Sequence, residues 1–392
     1  MSQNKRIARA LYGHGSNNYY AIRVEVPDAY VWYRDTKGKT HVIMSALEYD
    51  RVKKYAKVDV VHAMDDVVAE LTKLQMPTDT AGQIAWLVMN DKLPGGLTSG
   101  RVFEGVDVLE VPSDFPFGLA AALIKMGITV EPVKGHFFPE RSLKSQAEVD
   151  AIRHAQWVNE QGHERARVVL REATIGKDDV LMWNGKVLTS EILAGEINAE
   201  IARHGGVPAE GGPIVACGEH SADPHERGHG PLKAYQFIII DSWPRADFYH
   251  GDLTRTYIKG KATAQQQAMY DAVKDAQQLG LDMANTSANP AAIHQAIEDL
   301  LTSRGFKTGK DANGNNCGFF HGTGHSVGLN VHDQGPGIHR RNTTPLPEGT
   351  VVTVEPGVYY QGIGGVRIED IIAITATGNI NLTTFDKELV IP

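Results

Sequence analysis

The 392-residue chain sets 39 Lys and Arg against 47 Asp and Glu, a formal net charge of −8, with 42% apolar and 22% charged residues. That balance belongs to a soluble globular protein long enough for more than one core, and it lacks the dense basic block of a nucleic-acid binder. Two cysteines, Cys217 and Cys317, exclude a disulfide scaffold. With no apolar leader in the first twenty residues and no run long enough to span a bilayer, a cytoplasmic protein with neither membrane nor nucleic-acid partners is expected.

Residues 1–140 read as a separate α/β domain. Tyr30-Val31-Trp32-Tyr33 and His41-Val42-Ile43-Met44 flank the turn segment Asp35-Thr36-Lys37-Gly38-Lys39, a predicted hairpin. Ser45-Ala46-Leu47-Glu48 matches a capping box opening a helix, and Val58–Val61 reads as a strand. Helices are expected over Ala81–Asp91 and Phe117–Met126. Nothing in this half clusters histidines or carboxylates, so it is assigned to shaping access or to assembly.

Pro132–Ser142 forms the junction to a second domain, residues 141–392. Apolar residues at helical spacing run from Ser145 towards Val169, and a further helix spans Ser190–Arg203. Ile214–Cys217 is a short buried-type strand. Tyr235–Asp241 is apolar throughout its centre, so it is expected to be covered on both faces. Helices follow near Ala264–Ala284 and Pro290–Ser303, then strands over Val351–Glu355 and Val366–Thr375.

The densest chemistry lies in Phe320-His321-Gly322-Thr323-Gly324-His325-Ser326-Val327-Gly328-Leu329-Asn330-Val331-His332-Asp333. A helical His pair is disfavoured by Gly322 and Gly324, each costing a helix roughly 1 kcal/mol, so a strand or loop is expected. Asp241 closes an apolar strand and Asp252 follows a plausible turn, so antiparallel pairing can set both on one face. Glu355 ends another apolar strand, and Arg367 and Glu369, two apart, share a strand face. Each acid taken singly is ordinary strand-end chemistry. Four carboxylates and one imidazole beside β-rich runs are better explained as hard ligands for Mn²⁺, Co²⁺ or Fe²⁺, with Zn²⁺ possible. Two ions about 3.5–4 Å apart would balance that charge, activate a water and polarise a carbonyl, as amide hydrolysis requires.

Asp241 and Asp252 at this spacing, His321-x-x-x-His325 running into Gly328-Leu329-x-Val331-His332-Asp333, Thr353-Val354-Glu355-Pro356-Gly357 and Gly365-Val366-Arg367-Ile368-Glu369-Asp370 resemble the pita-bread metallopeptidases. Within them the match is to the Xaa-Pro branch, prolidase and aminopeptidase P, over residues 145–392. The resemblance implies an α/β (α+β) chain, with a creatinase/prolidase-like N-terminal domain before a pita-bread catalytic domain. It implies two divalent ions, Mn foremost, held by Asp241, Asp252, His325, Glu355 and Glu369, with Asp252 and Glu369 bridging. His225, His321 and His332 would bind substrate or pass protons, Glu355 would assist, Arg341 would hold a peptide carboxylate, and Arg367 would steady Glu369. It also implies a homodimer.

Two departures from the family pattern stand out. Asp241-Ser242-Trp243-Pro244-Arg245 replaces the usual Asp-x-Gly, and Gly211-Gly212 stands where many relatives carry a tyrosine that stabilises the oxyanion. Another donor, or altered selectivity, is therefore expected. The reading that follows is hydrolysis of the bond before proline, most of all in dipeptides, with aminopeptidase action on longer peptides as the alternative. A metal-free creatinase-like hydrolase or a non-catalytic binding module would have lost the carboxylates, and methionine aminopeptidase fits the long N-terminal domain poorly. His250 and His339 read as solvated loop residues, and both cysteines as packing residues.

Overall fold

The computed structural model describes residues 5–91 and 105–392. Met1–Asn4, part of the stretch searched for a leader, lie outside them. The chain divides into two compact units, the first ending at Pro139 and the second beginning at Glu140. Among the described residues no helix is long and apolar enough to cross a membrane.

In the first unit six strands, β1 (Ile7–Gly13), β2 (Tyr30–Arg34), β3 (Thr40–Met44), β4 (Val60–Ala63), β5 (Val108–Val111) and β6 (Val130–Pro132), form one mixed sheet in the order β4-β3-β2-β1-β5-β6. Side chains alternate across a strand. Val31 and Tyr33 accordingly enter one apolar cluster, and Tyr30 and Trp32 the other. Helices α1 (Ser16–Ile22), α2 (Tyr49–Tyr55), α3 (Met64–Lys73), α4 (Thr80–Asn90) and α5 (Phe117–Lys125) supply the cover. The expected capping box at Ser45 does not form. Helix α2 starts at Tyr49 with no side-chain cap, because the Glu48 carboxylate is drawn forward to Arg51 instead of back to the Ser45 N–H.

The second unit is built from two helix-backed sheets. Helix α6 (Gln146–Glu172) opens on a Ser145/Glu148 capping box, which satisfies two otherwise orphaned amides. It packs with α7 (Ser190–Arg203) on strands β7 (Ile214–Cys217), β8 (Ile238–Ser242) and β9 (Leu253–Lys259). Ile238 and Ile240 point into that core while Ile239 joins Ile214, Ala216 and Tyr359 on the opposite face, so β8 is covered on both sides. Tyr235 is outside the strand, exposed and left-handed at φ 64°. Helices α8 (Ala264–Met283) and α9 (Pro290–Ser303) back the second half, where β10 (Val351–Val354), β13 (Asp370–Thr375) and β14 (Gly378–Asn381) pair in the order β10-β13-β14. A separate hairpin joins β11 (Gly357–Tyr360) to β12 (Gly364–Arg367), and β15 (Val390–Ile391) closes the edge beside β9. The single strand expected over Val366–Thr375 is therefore two strands with different partners, broken at Ile368-Glu369.

Candidate metal centre

The four carboxylates converge because each sits at the end of a paired strand. Asp241 lies near the end of β8, opposite Thr254 in β9. Asp252, two residues before Thr254, lies on that same face. Glu355 follows β10 directly and Glu369 precedes β13. Val354 pairs with Asp370, and the Ile368 N–H reaching the Pro356 carbonyl at 3.4 Å carries the ladder past Glu355 and Glu369, setting them opposite each other. The two halves join where the Glu369 N–H donates to the Thr254 carbonyl at 3.1 Å.

His325 comes from the loop between α9 and β10. Bridges Gly324–Ile338 and Ser326–Val352 pin that loop, and its own N–H donates to Thr353 Oγ1 at 3.1 Å. A Cβ on Gly324 would stand 1.8 Å from the Thr353 carbonyl oxygen, so this glycine serves the approach to β10 and not to the cavity. His325 Nδ1 lies 3.2 Å from the Ser326 carbonyl, which only accepts, so the ring proton sits on Nδ1 and the Nε2 lone pair is free for a ligand. Nε2 is 3.5 Å from Asp252 Oδ2 and 3.7 Å from Glu355 Oε1. One ligand atom each from Asp252, His325 and Glu369 lie within 4.8 Å of one another.

These residues fit a divalent cation. Asp252 and Glu369 are buried, and Asp241 Oδ1 and Glu369 Oε1 are buried oxygens without a hydrogen-bond partner. Unsatisfied buried carboxylate oxygens are costly unless a cation meets them. Burial first, then the neighbouring Glu369, Asp241 and Glu355, pushes the Asp252 carboxyl well above its usual range, and Glu369 rises for the same kind of reason. Glu355 is pushed up to about 8 by burial, with Arg367 opposing and Asp241 adding. Burial and the adjacent His332 lower His325 to about 4, so its imidazole is neutral and able to ligate.

A chain of hydrogen bonds backs the cluster. Arg367 donates through Nη2 to Asp241 Oδ2 at 2.6 Å, through Nη1 to the Tyr359 hydroxyl at 2.8 Å and through Nε to Thr254 Oγ1 at 3.2 Å. Thr254 Oγ1 in turn donates to Glu369 Oε2 at 2.7 Å, so Arg367 acts on Glu369 through a threonine. His321 Nδ1 faces the Gly322 carbonyl at 2.8 Å, which leaves Nε2 to accept from Tyr359 at 3.0 Å. Tyr359 and Thr254 escaped the sequence reading. Period-two spacing is the signal for Thr254, two residues beyond Asp252, whereas Tyr359 lies in the strand after Glu355 and no such spacing marks it.

A cavity of about 630 Å³ opens on the cluster, lined by the five candidate ligands with His225, His321, His332, Tyr359 and Arg367 among others. The His332 ring lies 4.0 Å from that of His325, centroid to centroid. Arg341 lines a different, adjoining cavity of about 210 Å³ with His294, His339 and Arg340. Phe320, His321 and Gly322 line both. His250 is half-buried, not solvated, with Nδ1 3.0 Å from the Trp243 carbonyl, and His339 faces the smaller cavity. Cys217 is buried packing, its thiol raised to about 11 by burial, while Cys317 is only half-buried.

Asp333 turns away from the cavity. It pairs with Arg141 and, at 3.4 Å, with Lys144 Nζ, all three side chains at most 5% exposed, which ties the histidine loop to the segment before α6. Removing one partner of a buried ion pair costs about 3–5 kcal/mol. Asp333→Ala is accordingly expected to lower unfolding free energy by about that amount, read by urea denaturation.

Residues 150–376 match the model of metallopeptidase family M24. The chain is 28% identical over 293 residues to a Xaa-Pro dipeptidase of Pyrococcus horikoshii, covering 74% of this chain and 77% of that one. Its fold matches the Xaa-Pro dipeptidase from Bacillus anthracis at a TM-score of 0.76 and 23% identity, over 98% of this chain and 95% of that one. It also matches the X-Pro aminopeptidase from Thermotoga maritima at 0.75 and 19% identity, over 98% and 97% of the two chains.

Proposed function

The chain belongs to metallopeptidase family M24, and from that premise we propose that it hydrolyses the peptide bond preceding proline, chiefly in dipeptides. The observation that carries the reading is the cluster of buried Asp252 and Glu369 with half-buried His325, opening on a peptide-sized cavity. The relatives named above, a Xaa-Pro dipeptidase among them, support the substrate class. Asp241, Asp252, His325, Glu355 and Glu369 would hold two divalent ions, with Mn²⁺ the preferred metal. Bound there, the ions would supply an activated water and polarise the scissile carbonyl.

The chain's own groups account for the rest. Glu355 takes the proton of the attacking water. Proline's nitrogen has no N–H and leaves as an amine that must gain a proton, which His225 and His332, both facing the cavity, are suited to deliver. His321, with both ring nitrogens engaged, orients the wall beside them. Arg341 would take the terminal carboxylate from the adjoining smaller cavity. The first domain, residues 1–140, would shape access in a cytoplasmic homodimer. Comparing kcat/KM for Ala-Pro and Ala-Pro-Ala tests the substrate length. A dipeptidase favours Ala-Pro by at least about tenfold through that charge-assisted contact, and the reverse ratio would assign aminopeptidase action.

A further inference from the structure

The two places where the sequence leaves the family pattern meet at Arg227, which lines the cavity. Gly211 and Gly212 both adopt left-handed backbone, at φ 76° and 82°. A Cβ on Gly211 would lie 2.9 Å from Arg227 Nη2 and 3.0 Å from its Cζ, so only glycine lets the guanidinium lie against this turn. Arg227 donates through Nη1 to the Gly212 carbonyl and through Nη2 to the Glu210 carbonyl at 3.3 Å. Its Cζ stands 5.6 Å from the ring centroid of Trp243, the residue that departs from the usual turn after Asp241. Trp243 is itself packed on the apolar patch of Ile214, Ala216, Ile239 and Tyr359. The guanidinium is thus held from two sides. A guanidinium has five N–H donors, and two carbonyl contacts leave others for a ligand.

Of the residues lining the cavity, Arg227 and Arg367 carry a permanent positive charge. Arg367 is buried and committed to Asp241, Tyr359 and Thr254. Arg227 is therefore the cation an entering anionic group meets in this cavity. Ile214 and Trp243, which line it too, do not line the smaller cavity where Arg340 and Arg341 gather, so the two cationic features belong to different cavities. Asp223 also lines the cavity, with Oδ1 accepting the His225 N–H at 3.1 Å.

We propose that Arg227, within cation–π distance of Trp243 and seated against Gly211-Gly212, is a specificity-determining residue that selects an acidic side chain before proline. The inference rests on the Xaa-Pro reading above and names its preferred substrate class, peptides such as Glu-Pro. Glu-Pro and Gln-Pro are isosteric and differ in one charge, so their kcat/KM ratio in the Mn²⁺-loaded full chain reports that contact alone. Wild type is expected to favour Glu-Pro by about tenfold, the size of one charge-assisted hydrogen bond. Arg227→Gln is expected to bring the ratio near 1, and Arg227→Glu to turn preference towards Lys-Pro. Equal rates on both peptides in wild type overturn this inference and leave the Xaa-Pro activity standing, whereas failure to cleave either peptide overturns that activity. If Arg227→Gln slows both peptides alike, Arg227 holds the terminal carboxylate and the proposal is wrong. Because the wild-type ratio needs no variant, poor folding of a mutant does not remove the test.

Discussion

Glu369→Gln is expected to abolish metal-dependent peptide hydrolysis, lowering kcat/KM by on the order of 10³-fold, while leaving the metal-free fold at least as stable as wild type. The first half follows from geometry. Glu369 offers one oxygen to the cluster with Asp252 and His325, and its other oxygen is fixed by Thr254. An amide keeps the shape, loses the charge, and presents a donor where a cation needs an acceptor. The second half follows from electrostatics. Without a cation, Glu369 is buried beside Asp252, Glu355 and Asp241, and its proton affinity is raised by burial and then by Glu355 and Asp241. Replacing it removes a charge the metal-free fold does not tolerate. Activity assays paired with denaturation in chelator read both halves, and a destabilised metal-free variant would show that Glu369 holds the fold rather than the metal.

The metal-free protein should lose stability as pH rises from about 7 to about 8, above the range in which buried His321 and His325 act in the opposite direction, and adding Mn²⁺ should abolish that loss. Glu355 ionises near 4.5 when unfolded and near 8 in the metal-free fold. Above about pH 7, where the buried histidines are neutral in both states, the folded state binds more protons than the unfolded one, so unfolding free energy falls with rising pH, by about 1.4 kcal/mol per unit for each such carboxyl. Asp252 and Glu369 shift in the same direction and steepen the trend. Cation binding displaces these protons, so it should release them and stabilise by about 2.7 kcal/mol at a hundredfold excess over Kd. Thermal melts at several pH values, with and without Mn²⁺, check the sign. Calorimetry in buffers of different ionisation enthalpy counts the protons.

The ligand carboxylates were legible because each interrupts a β-rich run. Asp241 and Glu355 close apolar strands, and a buried strand end tolerates an acid only with a cation nearby. The layers in each unit were legible too, since α6 and α7 carry helical periodicity and β8 an apolar block. What was not legible depends on contacts distant in sequence. Ser45 and Glu48 have the spacing of a capping box, yet Arg51 competes for the carboxylate and wins. The break between β12 and β13 reflects two different partner strands, which a local run of apolar residues cannot report. Arg341 has the spacing of a substrate residue, but only folding places it in an adjoining cavity. Arg227 was invisible as a wall residue until Gly211 and Trp243, 32 positions apart in the sequence, came together around it.

Titrating metal-free protein with Mn²⁺ while following Ala-Pro hydrolysis and bound metal decides whether the chain works as the two-metal Xaa-Pro hydrolase proposed above. No hydrolysis is expected in chelator, with a rate that saturates as the second equivalent of Mn²⁺ binds. Undiminished Ala-Pro cleavage by metal-free protein, or a chain carrying two Mn²⁺ that leaves Ala-Pro intact, would contradict it.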